Sequence, residues 1–188
     1  MSARRWLPAL VVALLGVTLT SVLHGTLAAR TEAQRQASEE RQLLDLLPAG
    51  SHDNAPLRQP LSLPGQAAPA YRATLAGRVI AVLLTLDTQG YEGPIRLLVA
   101  IAADGRLLGS KVLAQQETPG LGDAIARPEW LAQFGGKTLE QRWQWRRDGG
   151  DFDQMSGATL SSRAVLLGGQ RALQVFAANR ERLLEPAP

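Results

Sequence analysis

Hydrophobic and polar positions alternate with different periods along this chain, and the changes of period mark its parts. From Trp6 to Ala29 the run WLPALVVALLGVTLTSVLHGTLAA carries no charge with His24 neutral. As a helix it reaches roughly 36 Å, enough to cross a hydrocarbon core of about 30 Å. Eleven leucines and valines between Leu7 and Leu27 outweigh its Thr, Ser and His. Residues 31–47 are polar with a leucine-rich end (Leu43, Leu44, Leu46, Leu47), which predicts a juxtamembrane helix docking its apolar end on the body. Residues 48–69 are rich in Pro, Gly, Ser and Ala and read as a linker or irregular surface loop. Strand-like segments follow at Tyr71–Ala76, Arg78–Asp87, Ile95–Ala103 and Arg106–Ala114. Asp104-Gly105 is a two-residue hairpin turn, so the last two should pair antiparallel. Pro128 predicts the first turn of a helix over Pro128–Phe134. Alternation around Trp143 and Trp145 predicts a further strand at Gln141–Arg147. The end reads as a helix from about Ser162, with Val165, Gly169, Ala172, Leu173 and Phe176 on one stripe. The expected organisation is a cytoplasmic N-terminus (1–5), a transmembrane anchor (6–29), a juxtamembrane helix and linker (30–70) and one α+β domain (71–188).

Charge settles the orientation and removes one class of partner. The chain has 20 basic and 17 acidic residues, a formal +3. Arg4, Arg5 and Arg30 account for the whole excess, because residues 1–30 hold no acid and the rest balances. The body therefore lacks the basic face that a nucleic-acid partner needs. The positive-inside rule puts the N-terminus in the cytoplasm and the body across the membrane. A cleavable signal cut near Ala28 is the alternative, although the apolar region exceeds the usual length of about 7–15 residues. Either way the body is exported, which in a Gram-negative cell means the periplasm.

Composition narrows the chemistry. With no cysteine there is no disulfide, thiolate metal site, cysteine-ligated iron–sulfur cluster or thiol nucleophile. Two histidines, His24 and His52, make a histidine-rich metal site or a Ser-His-Asp triad improbable. His52 falls in the linker and is expected to be solvated. The remaining chemistry concentrates in Asp153-Gln154-Met155-Ser156-Gly157-Ala158-Thr159-Leu160-Ser161-Ser162, a small-residue loop opening onto a helix N-terminus. Such a terminus presents unpaired N–H groups and favours a phosphate. Gly157 and Ala158 leave room for close approach, and Ser156, Thr159, Ser161 and Ser162 supply hydroxyls. The plainer reading is an ordinary cap, with Ser161 or Ser162 at the N-cap.

Asp153 to Thr159 resembles the flavinylation motif Asp-x-x-Ser/Thr-Gly-Ala-Thr of the FMN-binding domain family. Glu117-Thr118-Pro119-Gly120-Leu121-Gly122, downstream of Gly90-Tyr91-Glu92-Gly93-Pro94-Ile95, adds a second match. Together with Trp130, Phe134 and Phe152, this order is similar to the G subunits of the Rnf (also called Rsx) ion-translocating electron-transport complexes. The related C subunit of the sodium-pumping NADH:quinone reductase is the nearest competitor. Ser161 and Gln116 depart from the commoner pattern, which often has threonine and histidine there.

The resemblance implies FMN joined through a phosphoester to Thr159, installed from FAD by a dedicated flavin transferase. It implies that Ser156, Gly157 and Ala158 form the close-approach surface. Ser161 and Ser162 would cap the helix and donate to the phosphate. Glu117, Thr118 and Leu121 would line the isoalloxazine, or simply form a turn. Asp153 would serve transferase recognition, or an Asx turn. Arg163, just inside the helix, could pair with the phosphate, although a helix N-terminus disfavours a cation unless the anion is present. Trp130, Trp143 and Trp145 could stack on a flavin, although core positions are commoner for tryptophan. The expected function is electron transfer within a membrane complex, with the other subunits, the transferase and membrane lipid as partners and no independent substrate turnover. An anchored assembly subunit without flavin is the alternative.

Overall fold

Four antiparallel strands in the order β1-β2-β3-β4 form the sheet of the computed structural model, which describes residues 44–48 and 50–185. They are β1 (Ala70–Leu75), β2 (Arg78–Gln89), β3 (Pro94–Ala102) and β4 (Leu107–Ala114). Each lies within two residues of the expectation at both ends. Val82, Leu84 and Leu86 of β2 and Leu97, Val99 and Ile101 of β3 occupy alternate positions and join the main core cluster. Asp104-Gly105 makes the β3–β4 turn, with Gly105 at φ +95° and Arg106 N–H donating to Asp104 Oδ1.

The expected helix at 128–134 is a helical turn, α1 (Pro128–Leu131), continued by a 3-10 turn at Ala132–Phe134. The last long helix, α2 (Thr159–Ala178), packs across β2 and β3, with Val165, Gly169, Ala172, Leu173 and Phe176 all buried. A short α3 (Arg180–Leu184) follows.

Two local expectations are corrected. Gln141–Arg147 is not a strand. Trp143 and Trp145 are both buried, but the chain between them bends, and only a single bridge, Trp145 to Phe152, is formed there. Asp151 closes this loop by accepting the Arg142 backbone N–H at 2.8 Å, a bond that holds its carboxyl below the ordinary carboxylate range. Trp143, Phe134 and Phe152 then form an aromatic cluster, with Phe152 centroids 4.6 Å from Trp143 and 5.3 Å from Phe134. Helix α2 also begins three residues before Ser162, so Ser161 and Ser162 do not cap it. The N-cap is Ala158, which offers no side-chain acceptor.

The Pro- and Gly-rich stretch before β1 is irregular yet attached to it. Asn54 Nδ2 donates to the Arg72 carbonyl, Asn54 Oδ1 accepts the Thr74 N–H, and Leu61 bridges Ala70. His52 is half-buried with Nδ1 fully shielded, so it is not the solvated histidine expected from the linker. Among the described residues no helix is long and apolar enough to cross a membrane. The expected span at 6–29 lies outside them, as does most of the expected juxtamembrane helix.

Candidate functional site: two turns around the start of the long helix

Two segments far apart in sequence meet at the N-terminus of α2, and each is a tight turn with glycine at its third position. In Met155-Ser156-Gly157-Ala158 the Ala158 N–H donates to the Met155 carbonyl, and Gly157 has φ +80°. In Thr118-Pro119-Gly120-Leu121 the Leu121 N–H donates to the Thr118 carbonyl, and Gly120 has φ +76°. Both carry the signature of a type II turn, which needs φ > 0 at that place. The turns touch: a Cβ on Gly157 would lie 2.6 Å from Leu121 Cδ1. Gly157 is thus required by its backbone and by its neighbour.

Glu117 locks the turns to the sheet. The residue is buried, at 4% exposure. Oε2 accepts the Ser161 hydroxyl at 2.5 Å, while Oε1 accepts the Tyr91 and Glu92 N–H groups at 3.0 and 3.3 Å. Gly90 makes that approach possible, since any Cβ there would collide with Glu117 Oε1. Thr118 Oγ1 adds a bond to Glu92 Oε1. The β2–β3 turn, the Pro119-Gly120 turn and the first turn of α2 are therefore one unit.

The result is an exposed Thr159 between two clefts. The first, about 350 Å³, is lined by Tyr91, Glu117, Thr118, Leu121, Leu160 and Ser161 among others, and its rim is apolar: Tyr91, Leu121 and Leu160 are exposed. The second, about 470 Å³, is more polar, with Arg146, Arg147, Asp153, Gln154 and Ser156 on its walls. Thr159 and Gly157 belong to both. Thr159 Oγ1 accepts a hydrogen bond from Gln154 Nε2, whose partner atom Oε1 is buried and unpaired.

Of the residues expected to act together, Ser156, Gly157, Ala158, Thr159, Glu117, Thr118, Leu121 and Ser161 are gathered at these clefts. Ser162 is not: its hydroxyl is buried and donates to the Ala158 and Thr159 carbonyls of its own helix. Asp153 forms no Asx turn. Its backbone binds Gln133 and Trp130, and its carboxylate pairs with Arg146 at 3.2 Å. Trp143 and Trp145 are core, with Trp145 also edging the second cleft. Trp130 packs on Phe134 and donates to the Asp153 carbonyl. Arg163 is the fifth residue of α2 and is exposed. Tyr91, Gln154, Arg146 and Arg147 were not anticipated. Tyr91 and Gln154 sit inside the two quoted motifs, which was the only signal for them in the sequence.

The residues fit a phosphate-bearing group at the start of α2, beside Thr159. No side chain caps α2, no acid occupies its first turn, and the hydroxyl is exposed. The N–H groups of a first turn have no partner within the helix, and the helix dipole favours an anion there. An apolar cleft beside it offers a place for a flat ring. Among the described residues no cluster of His, Cys, Asp or Glu could hold a metal ion.

Comparison with known proteins agrees with this geometry. The model of the FMN-binding domain matches residues 90–174. The chain is 47% identical over 189 residues to the G subunit of the ion-translocating oxidoreductase complex of Pseudomonas aeruginosa, covering 93% of this chain and 88% of that protein. It is 42% identical to the G subunit of the corresponding complex of Cereibacter sphaeroides, covering 95% and 84%. Among solved structures it resembles NqrC of Shewanella oneidensis, with TM-score 0.52 and 25% identity over 61% of this chain and 60% of that one. The C subunit of the Na+-translocating NADH-quinone reductase from Parabacteroides distasonis, at TM-score 0.51 and 24% identity over 60% and 62%, shares the fold. The chain belongs to the family of G subunits of ion-translocating oxidoreductase complexes and carries that family's FMN-binding domain.

Proposed function

We propose that this protein is an electron-carrier subunit of a membrane-bound ion-translocating complex, holding FMN as a phosphoester on Thr159. The observation that carries this reading is the placement of Thr159: an exposed hydroxyl on the uncapped first turn of α2, between a polar and an apolar cleft. In the attachment step the Thr159 oxygen bonds to the phosphorus of the FMN half of FAD. The pyrophosphate link breaks, AMP leaves with the bridging oxygen, and the hydroxyl proton passes to a base of the flavin transferase.

The chain's own residues then have distinct work. Gly157 and Ala158 add no bulky side chain of their own to the approach to Thr159. The first-turn N–H groups of α2 hold the phosphate charge. Tyr91, Leu121 and Leu160 exclude water from one side of the ring, and Glu117 with Ser161 fixes the wall that carries them. Bound FMN supplies one- or two-electron transfer. Asp153 belongs to the surface the transferase reads.

The same reading places residues 6–29 in the inner membrane, residues 1–5 in the cytoplasm and residues 71–188 in the periplasm as the FMN domain, with residues 30–70 between. Its partners are the other subunits of the complex, the transferase and the surrounding lipid. A covalent bond suits an exported flavin, because a diffusible cofactor is lost outside the cytoplasm. The test is intact mass of the native protein: it should carry one FMN, and a protein isolated from transferase-containing cells without that mass refutes the reading.

A further inference from the structure

The phosphoester reading leaves open what makes Thr159 reactive. A threonine hydroxyl is a weak nucleophile at neutral pH, and negative charge develops on its oxygen as a base takes its proton and the oxygen attacks phosphorus. Any preorganised donor aimed at that oxygen stabilises the charge as it develops.

One donor is already in place. Gln154 Nε2 lies 2.5 Å from Thr159 Oγ1 and donates to it. The contact spans five residues and depends on the turn between them, because Gly157 at φ +80° folds Gln154 back over the start of α2. The amide is turned so that its oxygen is buried without a partner while its N–H faces an exposed hydroxyl. The opposite orientation would set the amide oxygen against Thr159 Oγ1, drawing the threonine O–H towards Gln154 and away from the cleft. With the N–H on the oxygen, the threonine proton is free to leave towards the cleft. The neighbouring carboxylates are engaged elsewhere: Asp153 is paired with Arg146, and Glu117 is bonded to Ser161 and to two backbone N–H groups.

We propose that Gln154 is a catalytic residue of the flavinylation reaction supplied by the acceptor protein itself. Its N–H stabilises negative charge on Thr159 Oγ1 while the oxygen–phosphorus bond forms. The transferase contributes FAD, the metal and the base that takes the proton. AMP departs with the electron pair of the broken phosphorus–oxygen bond. This inference rests on Thr159 being the attachment residue, and it adds the reason the hydroxyl is held as it is.

The test is a time course of FMN incorporation, followed by intact mass, with full-length protein, purified flavin transferase, FAD and Mg2+. Wild type is compared with Gln154→Leu, which cannot donate, and with Gln154→Glu, which has the same length and only accepts. Both variants should lower the maximal rate about tenfold or more, with the KM for the acceptor protein within about twofold of wild type. Far-UV circular dichroism confirms the fold, and the glutamate variant carries the test where the leucine variant is unstable. Wild-type maximal rates in both variants, or a loss confined to KM, would overturn the proposal while leaving Thr159 as the attachment site. Failure of wild type itself to gain FMN would instead remove the attachment reading and this proposal with it.

Discussion

Glu117 Oε2 accepts the Ser161 hydroxyl at 2.5 Å across 44 residues of chain, and both side chains are buried. The bond joins the Pro119-Gly120 turn to the first turn of α2. Through Oε1 the same carboxylate reaches the N–H groups of Tyr91 and Glu92 as well. Removing it strands the buried Ser161 hydroxyl and takes the acceptor from two backbone donors at the rim of the cleft. Glu117→Ala is expected to cost about 2–4 kcal/mol. Glu117→Gln keeps the shape and can still serve these partners, so its cost should stay at about 1 kcal/mol. Urea denaturation of the two variants checks the difference, and equal costs would show that the bonds carry no stability.

Gly157 faces two separate demands, a left-handed φ of +80° and a Cβ position 2.6 Å from Leu121 Cδ1. Gly157→Ala should destabilise by about 1–2 kcal/mol from the backbone alone, with a steric part added. In a Leu121→Ala background the steric part disappears and the backbone part remains. A double-mutant cycle by thermal melting should therefore show a coupling of about 0.5 kcal/mol or more. Strict additivity would mean that the two turns do not press on each other.

How far the sequence showed all this differs from part to part. The β-strands were legible because β2 and β3 carry long runs of Val, Leu and Ile between turn residues such as Asp104-Gly105. The 141–147 segment misled because two tryptophans two residues apart mimic the strand period. They are buried for separate reasons: Trp143 joins the aromatic cluster with Phe134 and Phe152, and Trp145 bridges Phe152 across the bend closed by Asp151. Ser161 and Ser162 looked like caps because serine favours that place, but here tertiary and local acceptors took both hydroxyls. The motif around Thr159 was readable as a string. Its link to Glu117 was not, since nothing local in the chain states which residue 44 positions away will meet Ser161.

Phe152 precedes the Asp153–Thr159 segment and is fully buried in the aromatic cluster. Phe152→Ala should cost about 3–5 kcal/mol. Phe152→Leu retains most of the volume and should cost about 1–2 kcal/mol. Denaturant midpoints measure both. A mild alanine variant would show that the cluster does not anchor the loop leading to Thr159.

Asp87 has its carboxyl held below the ordinary range, first by the hydrogen bond from Arg96 at 2.8 Å, with the Arg96 charge adding to it against slight burial. A lowered folded-state value means the pair stabilises the fold above the unfolded value of about 3.9 and loses that contribution as pH falls through the folded value. Both side chains are about half exposed, at 55% and 50%, so solvent screens most of the effect. Arg96→Gln should lower stability at pH 7 only slightly. The gap to wild type should close below about pH 4. A gap that persists in acid would assign the loss to packing of the arginine stem.

The most direct measurement is the intact mass of full-length protein produced with the flavin transferase, compared with Thr159→Ala produced in the same way. The expected result is one FMN on wild type, retained through denaturation and visible as in-gel fluorescence, and none on a folded Thr159→Ala. A wild type without the added mass, or a Thr159→Ala protein that still carries it, would contradict the assignment of Thr159 as the residue that holds the flavin.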